Sequence, residues 1–208
     1  MEVFKFNIEK AVQEIAFNTN KEFAEILGIN PAARLTCTKP SGTASSLLGC
    51  SSGVHAWHSE YYIRRIRINK NEPIYTYLSI YLPEFLEDEY FKPNETAVLS
   101  IPIKAPEGAI TRKESAIQLL ERVKAVYNRW IVPGHNRGYN TNNVSATISI
   151  KENEWDEVRD WVWKNRNYYT GLSFLPYSDH SYIQAPFEDC TKETYEKMIE
   201  LLSTRNIN

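Results

Sequence analysis

Arg34-Leu35-Thr36-Cys37-Thr38-Lys39-Pro40-Ser41-Gly42-Thr43-Ala44-Ser45-Ser46-Leu47-Leu48-Gly49 reads as a strand, a tight turn and a short helix. The extended start, the Pro-Ser-Gly turn residues and the apolar run closed by a glycine carry that reading. A strand that ends in Pro-Ser-Gly-Thr and opens a helix presents backbone N–H groups at the positive end of a helix dipole, which suits a phosphate. Gly42 permits close backbone approach, and the Ser41, Thr43 and Ser45 hydroxyls add donors. An ordinary Ser/Thr helix cap is the default reading of the same residues, and local pattern leaves both open. The G-x-x-x-x-G-K-[ST] spacing of a P-loop is missing, so nothing here points to an ATPase.

On the N-terminal side, Ile8, Val12, Ile15, Phe23 and Ile26 share one helical face, and Gly28 offers a left-handed stop, so residues 8–27 are predicted helical. On the other side, Tyr61 to Asn69 is β-branched and aromatic and predicts a strand. Asn71, Glu72 and Pro73 then supply an N-cap, an acid and a first-turn proline for a helix to about Leu82. Ala97, Leu99, Ile101 and Ile103 alternate as in a half-buried strand, with Pro102 restricting pairing to one side. From Glu114 to Val132, Ala116, Leu120, Val123, Tyr127 and Trp130 mark one face of a helix stopped by Pro133-Gly134. Val144, Ala146, Ile148 and Ile150 alternate with Ser145, Thr147 and Ser149, the period of a strand with one apolar face.

Asn153 is expected to cap a helix through Trp155, Val158 and Val162. Gly171-Leu172-Ser173-Phe174-Leu175 predicts a last buried strand, an irregular loop with Pro176 and Pro186 follows, and Thr191 caps a helix bearing Tyr195, Met198 and Leu202. No repeat or linker interrupts the chain. Strands alternating with helices over residues 1–208 predict a single α/β domain with largely parallel strands. Four or five such strands make half of a large barrel more naturally than a closed one.

Composition narrows the function classes. The 208 residues can bury a core as one domain or two small ones at most. Lys+Arg 24 against Asp+Glu 26 leaves a net charge of −2, so no global field draws the chain to nucleic acid or acidic membranes. No apolar run reaches membrane-spanning length, and Met1-Glu2-Val3-Phe4-Lys5 lacks the pattern of a signal peptide, which predicts a cytoplasmic protein without a membrane partner. Cys37, Cys50 and Cys190 are too widely spaced for a disulfide framework or a Cys-x-x-Cys metal site.

Arg64, Arg65 and Arg67 with Lys70 form the one dense basic cluster. In a strand Arg65 and Arg67 share a face while Arg64 points away, so a salt-bridged strand is favoured over a nucleic-acid surface. His55, His58 and Glu60 invite a metal proposal, but His135 and His180 are far off in sequence and no second ligand cluster supports it. Trp155, Trp161 and Trp163 read as packing around a helix. Neither a G-x-S-x-G elbow nor H-E-x-x-H occurs.

The run Thr36 to Leu47, followed by Ser51-Ser52-Gly53-Val54-His55 and Tyr61-Tyr62-Ile63-Arg64-Arg65-Ile66-Arg67, resembles the large subunit of ribonucleotide reductases, specifically the adenosylcobalamin-dependent class. Asn142-Asn143-Val144-Ser145-Ala146-Thr147, Glu154-Trp155, Gly171-Leu172-Ser173-Phe174-Leu175-Pro176-Tyr177 and Gln184-Ala185-Pro186-Phe187-Glu188 extend the match over almost the whole chain. The resemblance implies the C-terminal part, mostly the second half-barrel, of that family's ten-stranded α/β barrel. It implies that Pro40, Ser41, Gly42, Thr43, Ala44 and Ser45 cradle the phosphates of a ribonucleotide substrate. Adenosylcobalamin is the implied cofactor, bound by the complete enzyme, and the implied chemistry is radical reduction of ribonucleotides for DNA synthesis.

Parts of the family pattern are missing. None of the three cysteines lies in the Asn-Pro-Cys motif that carries the thiyl radical, so no catalytic residue is assigned. The N-terminal allosteric region, the first redox cysteine and the C-terminal cysteine arm are not found, and the chain stops at Thr204-Arg205-Asn206-Ile207-Asn208. Ala56 stands where the family commonly has proline. Phe174-Leu175 replaces the Tyr-Tyr relay of the iron-dependent class, which favours the cobalamin class. The expectation is a reductase portion, inactive alone, whose partner is the N-terminal reductase portion or another complementary chain. The rival is a non-catalytic nucleotide-phosphate-binding or interaction domain derived from the same barrel. Cys37, ahead of the turn, is expected to be a buried packing residue.

Overall fold

The structure is a computed structural model that describes residues 2–178 and 182–205, with side chains from residue 8 onward. His180 and the final Asn206-Ile207-Asn208 lie outside the described residues. In chain order the elements are α1 (Glu2–Ile26), α2 (Ala44–Leu48), β1 (Tyr61–Asn69), α3 (Pro73–Tyr81), β2 (Leu86–Asp88) and β3 (Thr96–Lys104). They continue with α4 (Ala116–Val126), β4 (Thr147–Ile150), α5 (Trp155–Lys164), β5 (Ser173–Pro176), β6 (Phe187–Asp189) and α6 (Lys192–Thr204). These fall into two compact units, Met1–Ala56 with Glu114–Tyr177, and Trp57–Lys113 with Ser178–Asn208.

The first unit is built on the apolar face of α4. Ala116, Leu119, Leu120 and Val123 recur at helical spacing and are buried. They meet Val144, Ala146, Ile148 and Ile150, the apolar set predicted from period 2, together with Val158 and Trp161 of α5. The helix starts at a capping box: Ser115 Oγ accepts from the Gln118 N–H at 3.2 Å and Gln118 Oε1 accepts from the Ser115 N–H at 2.8 Å. The predicted run to Val132 is continued beyond α4 by a π turn, Tyr127–Ile131, which buries Ile131 in the same core. β4 and β5 pair in parallel from Thr147↔Ser173 to Ile150↔Pro176. The extended 34–38 segment adds a parallel bridge, Thr38↔Val144, and an antiparallel one, Arg34↔His135.

α1 ends as predicted. Gly28 has φ +65°, its N–H donates to the Glu25 carbonyl and the Ile29 N–H to the Ala24 carbonyl, a Schellman closure. Its apolar stripe, however, is not core: Ile8, Ile15 and Ile26 are 60%, 66% and 69% exposed. The helix is held instead by Gln13, whose Nε2 donates to the Arg129 and Trp130 carbonyls at 3.1 and 3.2 Å. β5 likewise departs from the buried strand expected: all four of its residues are exposed, and it pairs with β4 along one edge only among the described residues. Trp155 and Trp163 are exposed, and of the three tryptophans only Trp161 packs inward. Asn153 lies inside a 3-10 turn, Glu152–Glu154, and does not cap α5.

The second unit corrects the expectation of largely parallel strands. Its sheet has the order β2-β3-β1-β6 with antiparallel neighbours, β1 and β3 running from Tyr61↔Lys104 to Asn69↔Thr96. The strand that follows α3 is the three-residue β2, too short for a period-2 signal. The Glu89–Glu95 loop then reverses the chain, so β3 enters antiparallel between β2 and β1. Glu89 shapes that reversal, its Oε2 accepting from the Phe91 and Lys92 N–H groups at 2.8 Å each. At Pro102 only β1 pairs, since β2 reaches no further than Leu99, which is the one-sided pairing the proline requires. Ile68, Leu78, Leu82 and Phe85 form the core, closed by Met198 and Leu202 of α6. Thr191 caps α6 as predicted, accepting from the Thr194 N–H at 3.2 Å.

Candidate phosphate turn and its surroundings

The 34–38 segment is fixed before it reaches the turn. Thr36 is buried, its hydroxyl donates to the Trp130 carbonyl at 2.5 Å, and its own carbonyl accepts from Asn142 Nδ2 at 2.9 Å. Gly134 packs so closely that an added Cβ would overlap the Thr36 hydroxyl. Trp130 Nε1 donates to the Cys37 carbonyl at 3.1 Å, while the Cys37 side chain is exposed, so Cys37 is not the packing residue expected.

Pro40 is exposed and borders a cavity of about 350 Å³ shared with His55, Asn143, Ser145, Thr147, Gly171 and Ser173. Ser41 and Ser45 are bonded to each other: Ser41 Oγ accepts from the Ser45 N–H at 3.1 Å and Ser45 Oγ donates to the Ser41 carbonyl at 2.6 Å. Ser45 is buried, so its hydroxyl shapes the turn and is not a free donor as expected. Gly42, Thr43 and Ala44 are exposed, and their N–H groups make no hydrogen bond among the described residues. Thr43 sits at the helix start without a side-chain cap bond. The helix is only five residues long, so the donor strength lies in these amides and not in a long helix dipole.

The Ser51 to His55 run, seen in the sequence only as a motif, lies behind the turn. Ser52 Oγ accepts from the Ser41 N–H at 2.8 Å and donates to the Ser41 carbonyl at 2.9 Å. His55 Nδ1 lies 2.9 Å from the Ser52 carbonyl and Nε2 accepts from the Thr147 N–H at 3.0 Å. Asn143, another motif residue given no role, donates to the Gly171 carbonyl and accepts from Thr170. Position in the motif was the signal available for all of these; Ser52 and Asn143 bond partners 11 to 28 residues away, and His55 reaches Thr147, 92 residues on.

The remaining candidates lie apart from the turn. His55 belongs to the first unit and His58 to the second, where His58 faces Asp189 at 3.2 Å. No group of three or more metal-ligating side chains occurs among the described residues. The arginines form the salt-bridged strand expected: Arg65 pairs with Glu188 at 2.5 Å, Arg67 with Glu89 at 3.5 Å, and Arg64 points away to lie 4.2 Å over the Phe187 ring. No described helix is long and apolar enough to cross a membrane.

No protein-family model matches the chain. It is 29% identical over 194 residues to the adenosylcobalamin-dependent ribonucleoside-triphosphate reductase of Lactobacillus acidophilus, covering 93% of this chain and 25% of that protein. The protein of the same description from Lactobacillus leichmannii is 31% identical over 183 residues, 86% of this chain and 23% of its own. A crystal structure of a B-12 dependent (class II) ribonucleotide reductase superposes with a TM-score of 0.75 and 27% identity, covering 97% of this chain and 28% of that one. The chain is a homologue of the adenosylcobalamin-dependent ribonucleotide reductases. It spans about a quarter of the length of these reductases. Its mixed α/β fold is theirs, which bears out the resemblance read from the sequence motifs.

Proposed function

We propose that the chain is the C-terminal, second half-barrel portion of an adenosylcobalamin-dependent ribonucleotide reductase of the cytoplasm, acting over residues 1–208 as one piece of that barrel. Its own task is to hold the phosphates of the ribonucleotide at Pro40, Ser41, Gly42, Thr43, Ala44 and Ser45. The observation that carries this reading is the run of exposed residues Gly42, Thr43 and Ala44, whose N–H groups have no partner among the described residues and which follows Pro40 at the wall of a cavity, in a chain similar to these enzymes. Neighbouring N–H groups with no partner among the described residues can complement phosphate oxygens, and the Ser41 and Thr43 hydroxyls can add to them. The parallel sequence of segment 34–38, β4 and β5 supports the half-barrel reading.

Adenosylcobalamin supplies radical initiation in the complete enzyme. The described histidines do not fit a cobalt ligand: His55 uses both nitrogens, His58 faces Asp189, and His135 donates to the Gly138 carbonyl with its other nitrogen buried. None of the described histidines is therefore assigned to cobalt, the radical cysteine belongs to the complementary portion, and none of Cys37, Cys50 and Cys190 is assigned a catalytic role.

The test is nucleotide binding and turnover with the chain joined to the complementary portion of a relative. A charge-assisted donor contributes about 1.5–3 kcal/mol, so Ser41→Ala with Thr43→Ala should weaken ribonucleotide binding at least about tenfold. An unchanged dissociation constant would remove the phosphate assignment. Binding without any reduction by the joined protein would favour the non-catalytic alternative.

A further inference from the structure

Ser52-Gly53-Val54-His55 is the sequence motif that the phosphate reading leaves without a task. Three contacts in the first unit supply one. Ser52 Oγ brackets Ser41 by bonding both its N–H and its carbonyl, at 2.8 and 2.9 Å. Gly53, at φ +61°, lies against the Lys39-Pro40 peptide so closely that a Cβ there would stand 2.9 Å from the Lys39 oxygen and 3.3 Å from the Pro40 nitrogen. A side chain fits neither that backbone angle nor that gap.

His55 completes the contact on the far side. The Ser52 carbonyl only accepts and the Thr147 N–H only donates, so a single neutral tautomer, with the proton on Nδ1, satisfies both at 2.9 and 3.0 Å. The imidazole thus ties the Ser52 peptide to the first residue of β4, whose following Ile148 and Ile150 are in the fully buried core.

We infer that Ser52 to His55 is a brace that fixes the turn, with His55 a positioning residue linking it to the rigid β4 strand. The inference rests on the phosphate reading for its ligand, and on the geometry alone for the brace. None of these residues supplies a donor to the anion. They hold the turn that carries the Gly42, Thr43 and Ala44 amides in place before an anion arrives, so that ordering the turn is not charged against binding.

The test uses the 208-residue chain and its His55→Ala, His55→Asn, His55→Gln and Ser52→Ala variants, with tripolyphosphate as the probe. Amide hydrogen exchange is read at Ser41, Ser45 and Thr147. In His55→Ala, exchange at all three should accelerate at least tenfold and tripolyphosphate affinity should fall about tenfold. Asparagine places an N–H near the Nδ1 position and should restore protection at Ser41 and Ser45. Glutamine places an acceptor near Nε2 and should restore Thr147 alone. Ser52→Ala should free Ser41 while leaving Thr147 protected. Unchanged exchange at Ser41 and Ser45 in a folded His55→Ala chain, or equal rescue of every amide by both amide side chains, would overturn the brace. If the parent chain binds no tripolyphosphate, the phosphate reading fails, while the exchange measurements still decide whether His55 holds the turn.

Discussion

The Glu154 carboxylate and the Ala116 backbone join two distant helix starts. Glu154 Oε1 accepts from the Ala116 N–H at 3.3 Å, at the first residue of α4, and Oε2 accepts from the Lys151 N–H at 3.0 Å, ahead of the turn into α5. Glu154 is buried, so both donors depend on this one side chain. Glu154→Ala leaves two N–H groups without their acceptor, at about 1–3 kcal/mol for each buried group left unpaired. A fall in Tm of roughly 4–24 °C is expected, at about 2–4 °C per kcal/mol for a chain of this size. Glu154→Gln keeps one acceptor and should lose about half as much by calorimetry. Equal Tm values for all three chains would show that the carboxylate is dispensable.

Glu89 gives the second unit an acid-sensitive loop. Burial pushes its carboxyl up, but the Lys92 and Phe91 N–H bonds and Arg67 together outweigh burial and hold it below the ordinary glutamate range. A folded value below the unfolded one means the stabilisation is present above the unfolded pKa, about 4.3, and is lost as pH falls through the folded value. The stability advantage over Glu89→Gln should therefore be constant near neutrality and shrink from about pH 5 downward. Urea midpoints at pH 7, 5 and 3 check this, and a pH-independent difference would refute it.

Thiol reactivity should divide the cysteines. Cys37 and Cys50 are exposed. Cys190 is partly covered, and burial, reinforced by the Asp189 and Glu188 charges, pushes its thiol up. Since the thiolate is the nucleophile, Cys37 and Cys50 should react with a disulfide reagent at pH 7.5 well before Cys190. Mass mapping of the modified sites over time provides the measurement, with early modification of Cys190 as the contrary result.

Uncovered apolar surface on α1 and the open edge of β5 should make the purified chain associate. Ile15 and Ile26 lie on the same side of α1, and Ile15→Glu with Ile26→Glu should move the chain toward monomer in sedimentation. Pairing with the complementary reductase portion should replace self-association of the parent chain by a one-to-one complex. A parent chain that is monomeric at all concentrations would show that this surface needs no cover.

Local sequence was sufficient for elements whose residues repeat at a fixed period or whose ends are set by one side chain. The α4 stripe, the β4 alternation, the Thr191 cap and the Gly28 closure were all legible because each depends on residues within a few positions of one another. The motif from Thr36 to Leu47 also marked where the chain resembles reductases. Tertiary structure decided the rest. β2 and β6, three residues each, carry no period of their own and exist because β3 and β1 offer edges to pair with. The antiparallel entry of β3 follows from the Glu89 loop, and the exposure of the α1 stripe follows from Gln13 finding the Arg129 and Trp130 carbonyls. Within the turn, sequence offered three hydroxyls as equivalent donors, and only folding turned Ser45 inward to Ser41 while leaving the Gly42, Thr43 and Ala44 N–H groups without a partner among the described residues. Hydrogen-bond partners separated by about 90 residues leave no periodic trace in a sequence, so the contact between His55 and Thr147 is written only in three dimensions.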